Sequence, residues 1–405
     1  MKNYLILFSI LILAAFVRFY KFSDKVVYGP EQGISLISAV SNLEKPSLLG
    51  IPYLLRQTSE GLRIFTSPVF GYTLVPLIWS TNYDPIKITI FFSLLNIFTG
   101  ILIFLFVKKI LNKEAAIFSG IIFLFNSKMI YHSMFIWTSN YMPLVGILSL
   151  IFLYMLFKSK KVIYVFLLGL LSGIGFGLQY FYVFGVALIF LLIFYFSKRR
   201  LADTIAYVFG FLAGELPTVV FDLKHNFYHL RTLTSYFVEI LQNSGESQIA
   251  YYHYLAFYPL AAILFGVIIW LLFRKNKPLA LLILALYLMF NFKILSGMPD
   301  GLKAKDILTS AKVISSENPK NFNVTILGNF DNRGYTLRYP LENIYKVKVD
   351  PVENYADTQT IYVLARKDYN FNIPDIWEIR TFVPFNVIEV ESINNIWALY
   401  KLVKS

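Results

Sequence analysis

Residues 86–107 read IKITIFFSLLNIFTGILIFLFV, twenty-two positions with a single charge, Lys87, and KKILNK follows at once over 108–113. Coiled as an α-helix, such a run is about 33 Å long, enough to cross a hydrocarbon core of about 30 Å. The basic cluster behind it is the mark of a cytoplasmic membrane boundary. Runs of the same kind recur from Tyr4 to Tyr20, Ala115 to Ile130, Tyr141 to Phe157, Val162 to Leu178, Phe181 to Phe196, Ala202 to Val220, Tyr254 to Phe273 and Pro278 to Leu295. The pattern predicts a polytopic α-helical membrane protein with about nine spans.

Composition agrees. The 405 residues are 57% hydrophobic and 15% charged, whereas soluble domains run nearer a quarter charged. A formal net charge of +13 would suit a nucleic-acid partner, but the lysines and arginines fall in short clusters between apolar runs, so the chain is read as binding membrane lipid and no nucleic acid. Cysteine is absent, which removes disulfides, thiolate catalysis and zinc–cysteine sites. Lys2 and the clusters Lys108/Lys109/Lys113, Lys158/Lys160/Lys161, Lys198/Arg199/Arg200 and Arg274/Lys275/Lys277 occupy every second connection. This predicts a multi-pass protein of the cytoplasmic membrane with its N-terminus inside and its C-terminus outside. The shorter run Ser67 to Trp79 is read as an exterior helix on or dipping into the membrane.

Two exterior segments, 21–85 and 221–253, are too long to be simple connections, and long ordered loops are where sites tend to sit. Residues 1–297 form the membrane domain. Residues 298–405 hold no membrane-length run; strand-like NFNVTIL, TQTIYVLA and IWALYKL beside amphipathic LKAKDILTSAKVI predict a C-terminal soluble α/β domain.

In Val162 to Leu178, Gly169, Gly173 and Gly177 repeat every fourth residue. With Gly175 they imitate a phosphate-loop pattern, but no strand precedes them, and small residues at that spacing are the ordinary device for close helix packing in lipid. YGPEQGISLISAVSNLEK, 28–45, starts an amphipathic helix in which Glu31 either complements the helix dipole or serves as a general base. Arg56 and Arg63, in IPYLLRQTSEGLRIFTSPVFGYTL, are exterior cations suited to phosphate. KMIYHSMFIWTSNYMP, 128–143, offers His132, Trp137 and Asn140 for stacking on a sugar and hydrogen bonding to it, or as an interfacial aromatic belt. GELPTVVFDLKHNFYHLRTL, 214–233, places Glu215 within an apolar span, a position reserved for function or a polar network. Beyond it come Asp222, Lys224, His225, His229 and Arg231. A metal held by Asp222, His225 and His229 lacks a fourth ligand at suitable spacing, and Lys224, His225 and Arg231 read better as an anionic headgroup clamp.

At these loops the chain resembles the GT-C superfamily of membrane glycosyltransferases, in the branch of protein O-mannosyltransferases and the lipid A aminoarabinose transferase. The likeness covers roughly Met1 to Leu233. PEQG stands where the family carries an acidic motif after its first span, SPVFGYTLVPL is similar to its Pro-Pro-Leu-Tyr element, and FIWTSNYMP matches a Trp-Asn-Pro motif through Trp137, Asn140 and Pro143. Pro30 replaces the first acid, Asn140 a second-loop acid, and His132 an arginine. The resemblance implies inverting transfer of a sugar from a polyprenyl-phosphate donor to a lipid, glycan or protein acceptor, with neither nucleotide nor metal cofactor. It makes Glu31 the catalytic base, Arg56, Arg63, Lys224, His225 and Arg231 the donor-phosphate site, and Gln32, Tyr72, His132, Trp137, Asn140 and Asp222 the sugar or acceptor contacts. A lipid-linked glycan flippase or a non-catalytic envelope assembly protein would share the spans and the exterior charge, but no inverted repeat is visible.

Overall fold

The computed structural model describes residues 2–57, 61–242, 250–296, 302–328, 330–371 and 376–405. Helix α1 (Lys2–Phe19) leads through a short 3-10 turn to α2 (Pro30–Glu44), then to the antiparallel strands β1 (Pro52–Gln57) and β2 (Arg63–Phe65). The bundle continues through α3 (Val69–Ser80), α4 (Pro85–Ile110), α5 (Lys113–Leu124), α6 (Ser127–His132), α7 (Met142–Ser159), α8 (Val162–Leu178) and α9 (Val183–Phe196). It closes with α10 (Arg200–Gly214), α11 (Leu216–Lys224), α12 (Tyr228–Gln242), α13 (Tyr258–Lys275) and α14 (Lys277–Ser296).

Among the described residues four helices are long and apolar enough to cross a membrane: Pro85–Ile110, Thr138–Ser159, Tyr251–Lys275 and Lys277–Ser296. The pair α10 and α11 qualifies together but bends by 79°. Ile6–Phe19, Val69–Ser80, Val162–Leu178 and Tyr180–Phe196 are shorter apolar helices.

Two of the expected spans are not single helices. The run Ala115 to Ile130 breaks after α5, because the Asn126 side chain caps α6 by accepting from the N–H groups of Lys128 (3.1 Å) and Met129 (3.3 Å). The freed carbonyl of Leu124 is taken by Arg18, fully buried on α1, whose guanidinium also donates to Asn96 on α4 at 2.7 Å. The run Ala202 to Val220 breaks at Glu215, where Pro217 lacks an N–H for the helical ladder and its ring crowds the carbonyl four residues back. The segment Ser67 to Trp79 contains α3, whose 12 residues reach only about 18 Å.

The glycine spacing is a packing device. A Cβ on Gly169 would lie 2.1 Å from the Tyr207 carbonyl oxygen and one on Gly173 2.3 Å from that of Phe211. Gly210 and Gly214 return the contact, 2.2 Å from the Phe166 and 2.5 Å from the Leu170 carbonyl oxygens. Helices α8 and α10 therefore meet backbone to backbone, as small residues permit in lipid, where packing has no hydrophobic drive behind it.

The last third of the chain folds as α15 (Ala304–Ser316), β3 (Phe322–Ile326), α16 (Tyr335–Asn343), β4 (Thr360–Arg366), α17 (Trp377–Arg380), β5 (Phe385–Ser392) and β6 (Trp397–Lys404). The sheet order is β3-β4-β6-β5, parallel between β3 and β4 and antiparallel elsewhere. Ala304, Ile307, Ala311 and Ile314 form the buried stripe of α15, spaced as an amphipathic helix requires. The expected strands correspond to β3, β4 and β6. Strand β5 escaped sequence reading because residues on both of its faces, Val387 and Ile388 among them, stay exposed.

Replacing Gly173 by Val should lower stability by about 1–3 kcal/mol, read as thermal unfolding in detergent. Gly120→Ala is the control, since its nearest neighbour would be 4.0 Å away, and it should unfold at the wild-type temperature.

Candidate functional site

Helix α2 opens on Gly29 and Pro30. The Gly29 N–H donates to the Gln32 side-chain oxygen at 2.8 Å, and the ring of Pro30 fixes φ where no N–H is needed. Glu31 is exposed in this first turn, while Gln32, Gly33, Ser35, Leu36, Ala39 and Asn42 form the buried face. Leu43, near the end of the helix, is exposed. Gln32 is buried and its oxygen caps the helix. Tyr72 on α3 donates its hydroxyl to the Ser47 carbonyl at 2.6 Å, tying α3 to the segment that leaves α2.

The start of α3 is held deeper in the bundle. The Ser67 N–H donates to the Gly177 carbonyl at 3.3 Å. A Cβ on Gly177 would meet the Glu215 carboxyl oxygen at 2.0 Å and the Ser67 hydroxyl at 2.8 Å. Glu215 is buried at the α10–α11 break, and its Oε1, the Ser67 hydroxyl and the Thr218 hydroxyl form no hydrogen bond among the described residues. The expectation of a polar network at Glu215 thus acquires named neighbours, of which only the glycine belonged to a visible motif.

A second layer fixes the basic corner. His229 Nε2 lies 2.9 Å from the Tyr180 hydroxyl and 3.2 Å from the Phe65 carbonyl oxygen, and the Tyr180 hydroxyl also donates to Phe65. The Asp222 carboxylate accepts from the N–H groups of His229 (2.7 Å) and Leu230 (3.0 Å), which caps the start of α12. His225 stacks on Phe221 at 4.1 Å and its Nδ1 lies 2.8 Å from the Phe221 carbonyl oxygen. Asn226 and Phe227 both adopt left-handed backbone, φ 53° and 56°, turning α11 into α12. Lys224, His225 and Arg231 are exposed around this turn, and Arg63 is exposed on β2, against which α12 packs. Lys224, His225 and Arg231 thus gather around one turn, with Arg63 on the strand that α12 packs against. Arg56 lies on β1, and its side chain falls outside the described residues.

The link after α6 makes a third cluster. His132 stacks over Trp137 (5.7 Å between centroids, 12° between planes) and its Nε2 lies 3.0 Å from the Tyr251 hydroxyl. Trp137 packs on Tyr252 at 4.6 Å. Asn140 donates to the Phe135 carbonyl, and Gln179 reaches the Ser139 hydroxyl at 3.0 Å. His132 and Asn140 are buried and hold the link in shape, while Trp137 is half-buried. Tyr251, Tyr252 and Tyr180 were not legible in the sequence, being 119, 115 and 49 positions from the side chains they meet, His132, Trp137 and His229.

Known proteins share the overall fold. Residues 68–220 match the family model described as dolichyl-phosphate-mannose-protein mannosyltransferase. The structure overlays ArnT from Cupriavidus metallidurans, solved in the apo state, with a TM-score of 0.59 at 11% identity, covering 98% of each chain. The chain has an ArnT-like fold. The same ArnT bound to undecaprenyl phosphate gives an equal overlay, with TM-score 0.59, 11% identity and 98% of each chain. An oligosaccharyltransferase from Archaeoglobus fulgidus, in complex with zinc and sulfate, aligns over 89% of this chain and 68% of its own at 10% identity and a TM-score of 0.49. No curated protein matches.

In this fold the family match runs from the residue before α3 into α11, taking in Gly177, Glu215 and the aromatic link but neither Glu31 nor the basic corner. Burial lowers the His132 pKa to about 3 and also lowers that of His229. The His132 ring is therefore neutral when folded, whereas the unfolded chain protonates it near 6.5. The unfolded state then binds more protons below that pH, so the stability carried by His132 is complete above it and falls as pH drops towards 3, by up to about 1.4 kcal/mol per pH unit, and the lowered His229 acts in the same direction. Thermal unfolding from pH 7 to pH 5 should show the fall, and His132→Phe should make it shallower.

Proposed function

We propose that the protein is an inverting glycosyltransferase that uses a polyprenyl-phosphate-linked sugar. The observation carrying this reading is the overlay on ArnT across nearly the whole of both chains, with α2 presenting an exposed carboxylate and the β2–α11–α12 corner presenting exposed cations. The undecaprenyl phosphate bound in the ArnT structure and the family match over 68–220 support the same donor class. In the reaction Glu31 takes the proton of an acceptor hydroxyl or amine. The freed lone pair attacks the anomeric carbon while the bond to phosphate breaks on the opposite face, which inverts the configuration. Polyprenyl phosphate departs with the bonding electrons. Arg63, Lys224, His225 and Arg231, with Arg56 on the neighbouring strand, meet the charge it gathers; fixed cations do so without reorganising in the transition state. The half-buried Trp137, backed by Tyr252, offers an aromatic face for a sugar.

Turnover of polyprenyl-phosphate mannose in membranes that hold the acceptor tests both roles. Glu31→Gln should lower the rate by about 10² to 10⁴, the usual contribution of a positioned base, and leave undecaprenyl phosphate binding unchanged. The combined Lys224→Ala, Arg231→Ala variant should weaken that binding at least about tenfold, the scale of a charge-assisted hydrogen bond. Full turnover by Glu31→Gln overturns the base, whereas no turnover by the wild-type chain favours a flippase.

The basic connections support an extracytoplasmic position for this chemistry. A C-terminal tag should be cleaved by protease added to intact cells and an N-terminal tag spared; the reverse result would move the site to the cytoplasm.

A further inference from the structure

The C-terminal domain is fastened to the segment that leads into α2. Val27 and Lys303 form an isolated antiparallel bridge, flanked by Tyr28 N–H donating to the Leu302 carbonyl (3.2 Å) and Ala304 N–H donating to the Val26 carbonyl (2.9 Å). Just upstream, Lys305 pairs with Asp24 at 2.7 Å. Beyond the first turn of α2, Gly33 lies flat against the start of α16: a Cβ there would come within 2.7 Å of the Thr336 nitrogen and 2.9 Å of the Tyr335 carbonyl oxygen. These are main-chain atoms that cannot step aside. That turn of α16 is set by the buried Asp331, whose carboxylate accepts from the N–H groups of Tyr335 and Thr336, each at 2.9 Å, and from the Thr336 hydroxyl. Lys346, just past α16, lies 4.9 Å over the Tyr83 ring beside the start of α4.

Glu31 thus sits between two points of attachment, the bridge at Val27 and the contact at Gly33. A helix of 15 residues is marginal by itself in water, so its placement depends on such contacts. Displacement of a catalytic group by about 1 Å costs on the order of 10² in rate.

We propose that the C-terminal domain is a clamp that fixes the first turn of α2, with Gly33, Thr336 and Asp331 as positioning residues for Glu31. The proposal rests on Glu31 being the base, and it gives residues 302–405 a part in the reaction without contact to substrate. Gly33 is required because no side chain fits between the two main chains. Asp331 acts at one remove, through the turn of α16 that Gly33 touches.

The test uses the full chain in three forms. Gly33→Ala forces α2 from α16, and the isosteric Asp331→Asn weakens the cap from the far side while keeping its shape. The third adds Val27→Cys with Lys303→Cys to Asp331→Asn. Residues 27 and 303 are a non-hydrogen-bonded antiparallel pair, whose Cα atoms stand about 4.5 Å apart, within disulfide range, and the chain has no cysteine of its own to compete. Hydrogen exchange of the α2 amides and kcat for polyprenyl-phosphate mannose should move together. Exchange should quicken and kcat fall about 10²-fold in the first two forms, with undecaprenyl phosphate binding unchanged, and oxidation should restore both in the third. Unchanged α2 exchange in Gly33→Ala and Asp331→Asn overturns the clamp. Faster exchange at undiminished kcat overturns the positioning role, while the base itself is judged separately by Glu31→Gln.

Discussion

The contact between α8 and α10 governs much of what surrounds it, because in lipid neither helix gains by hiding apolar surface from the other and only close packing draws them together. Gly169 and Gly173 admit the carbonyls of Tyr207 and Phe211, and Gly210 and Gly214 answer in kind. Once α8 and α10 are that close, the end of α8 has no room beside Gly177 for anything except Glu215 and Ser67. Ser67 begins α3, and α3 carries α2 through contacts such as Tyr72 with Ser47. The position of the exposed carboxylate is thus traceable through four helices to a row of missing side chains.

Polar groups inside the bundle follow a second rule. An unsatisfied backbone carbonyl in hydrocarbon costs several kcal/mol, and each helix break has a local remedy. Arg18 serves the end of α5, Asn126 the start of α6, and Asp222 the start of α12. Several side chains whose types suggested chemistry are spent on these tasks. Asp222, His229, His132 and Asn140 all hold loops in shape, and what they hold are the surfaces bearing the exposed groups: Arg63, Lys224, His225 and Arg231 on one corner and Trp137 on the other. The division is one of burial: Asp222, His229, His132 and Asn140 are buried, whereas Arg63, Lys224, His225 and Arg231 are exposed.

The C-terminal domain enters this scheme as part of the bundle's core rather than as an appendage. Buried residues of α15, α16 and β3 belong to the same apolar cluster as those of α2, α3 and α4. Main-chain bonds join Val26 and Tyr28 to Ala304 and Leu302. The bridge pairs Val27 with Lys303 in a single antiparallel register.

The sequence by itself determined the class of protein, because run length, the basic connections and low overall charge reflect the thickness and dielectric of a membrane directly. It also determined that the glycines pack helices, that 298–405 carries strands and one amphipathic helix, and that an acidic residue stands in the first long loop. Only the tertiary structure decided where the apolar runs break, since the cause at α5 and α6 is a capping asparagine and an arginine more than a hundred positions away. It alone separated exposed Glu31 from capping Gln32, and scaffolding Asp222 from the cations around it. The reason is that periodicity records what a residue needs from its solvent, whereas a site is made by side chains from distant segments competing for the same hydrogen bonds.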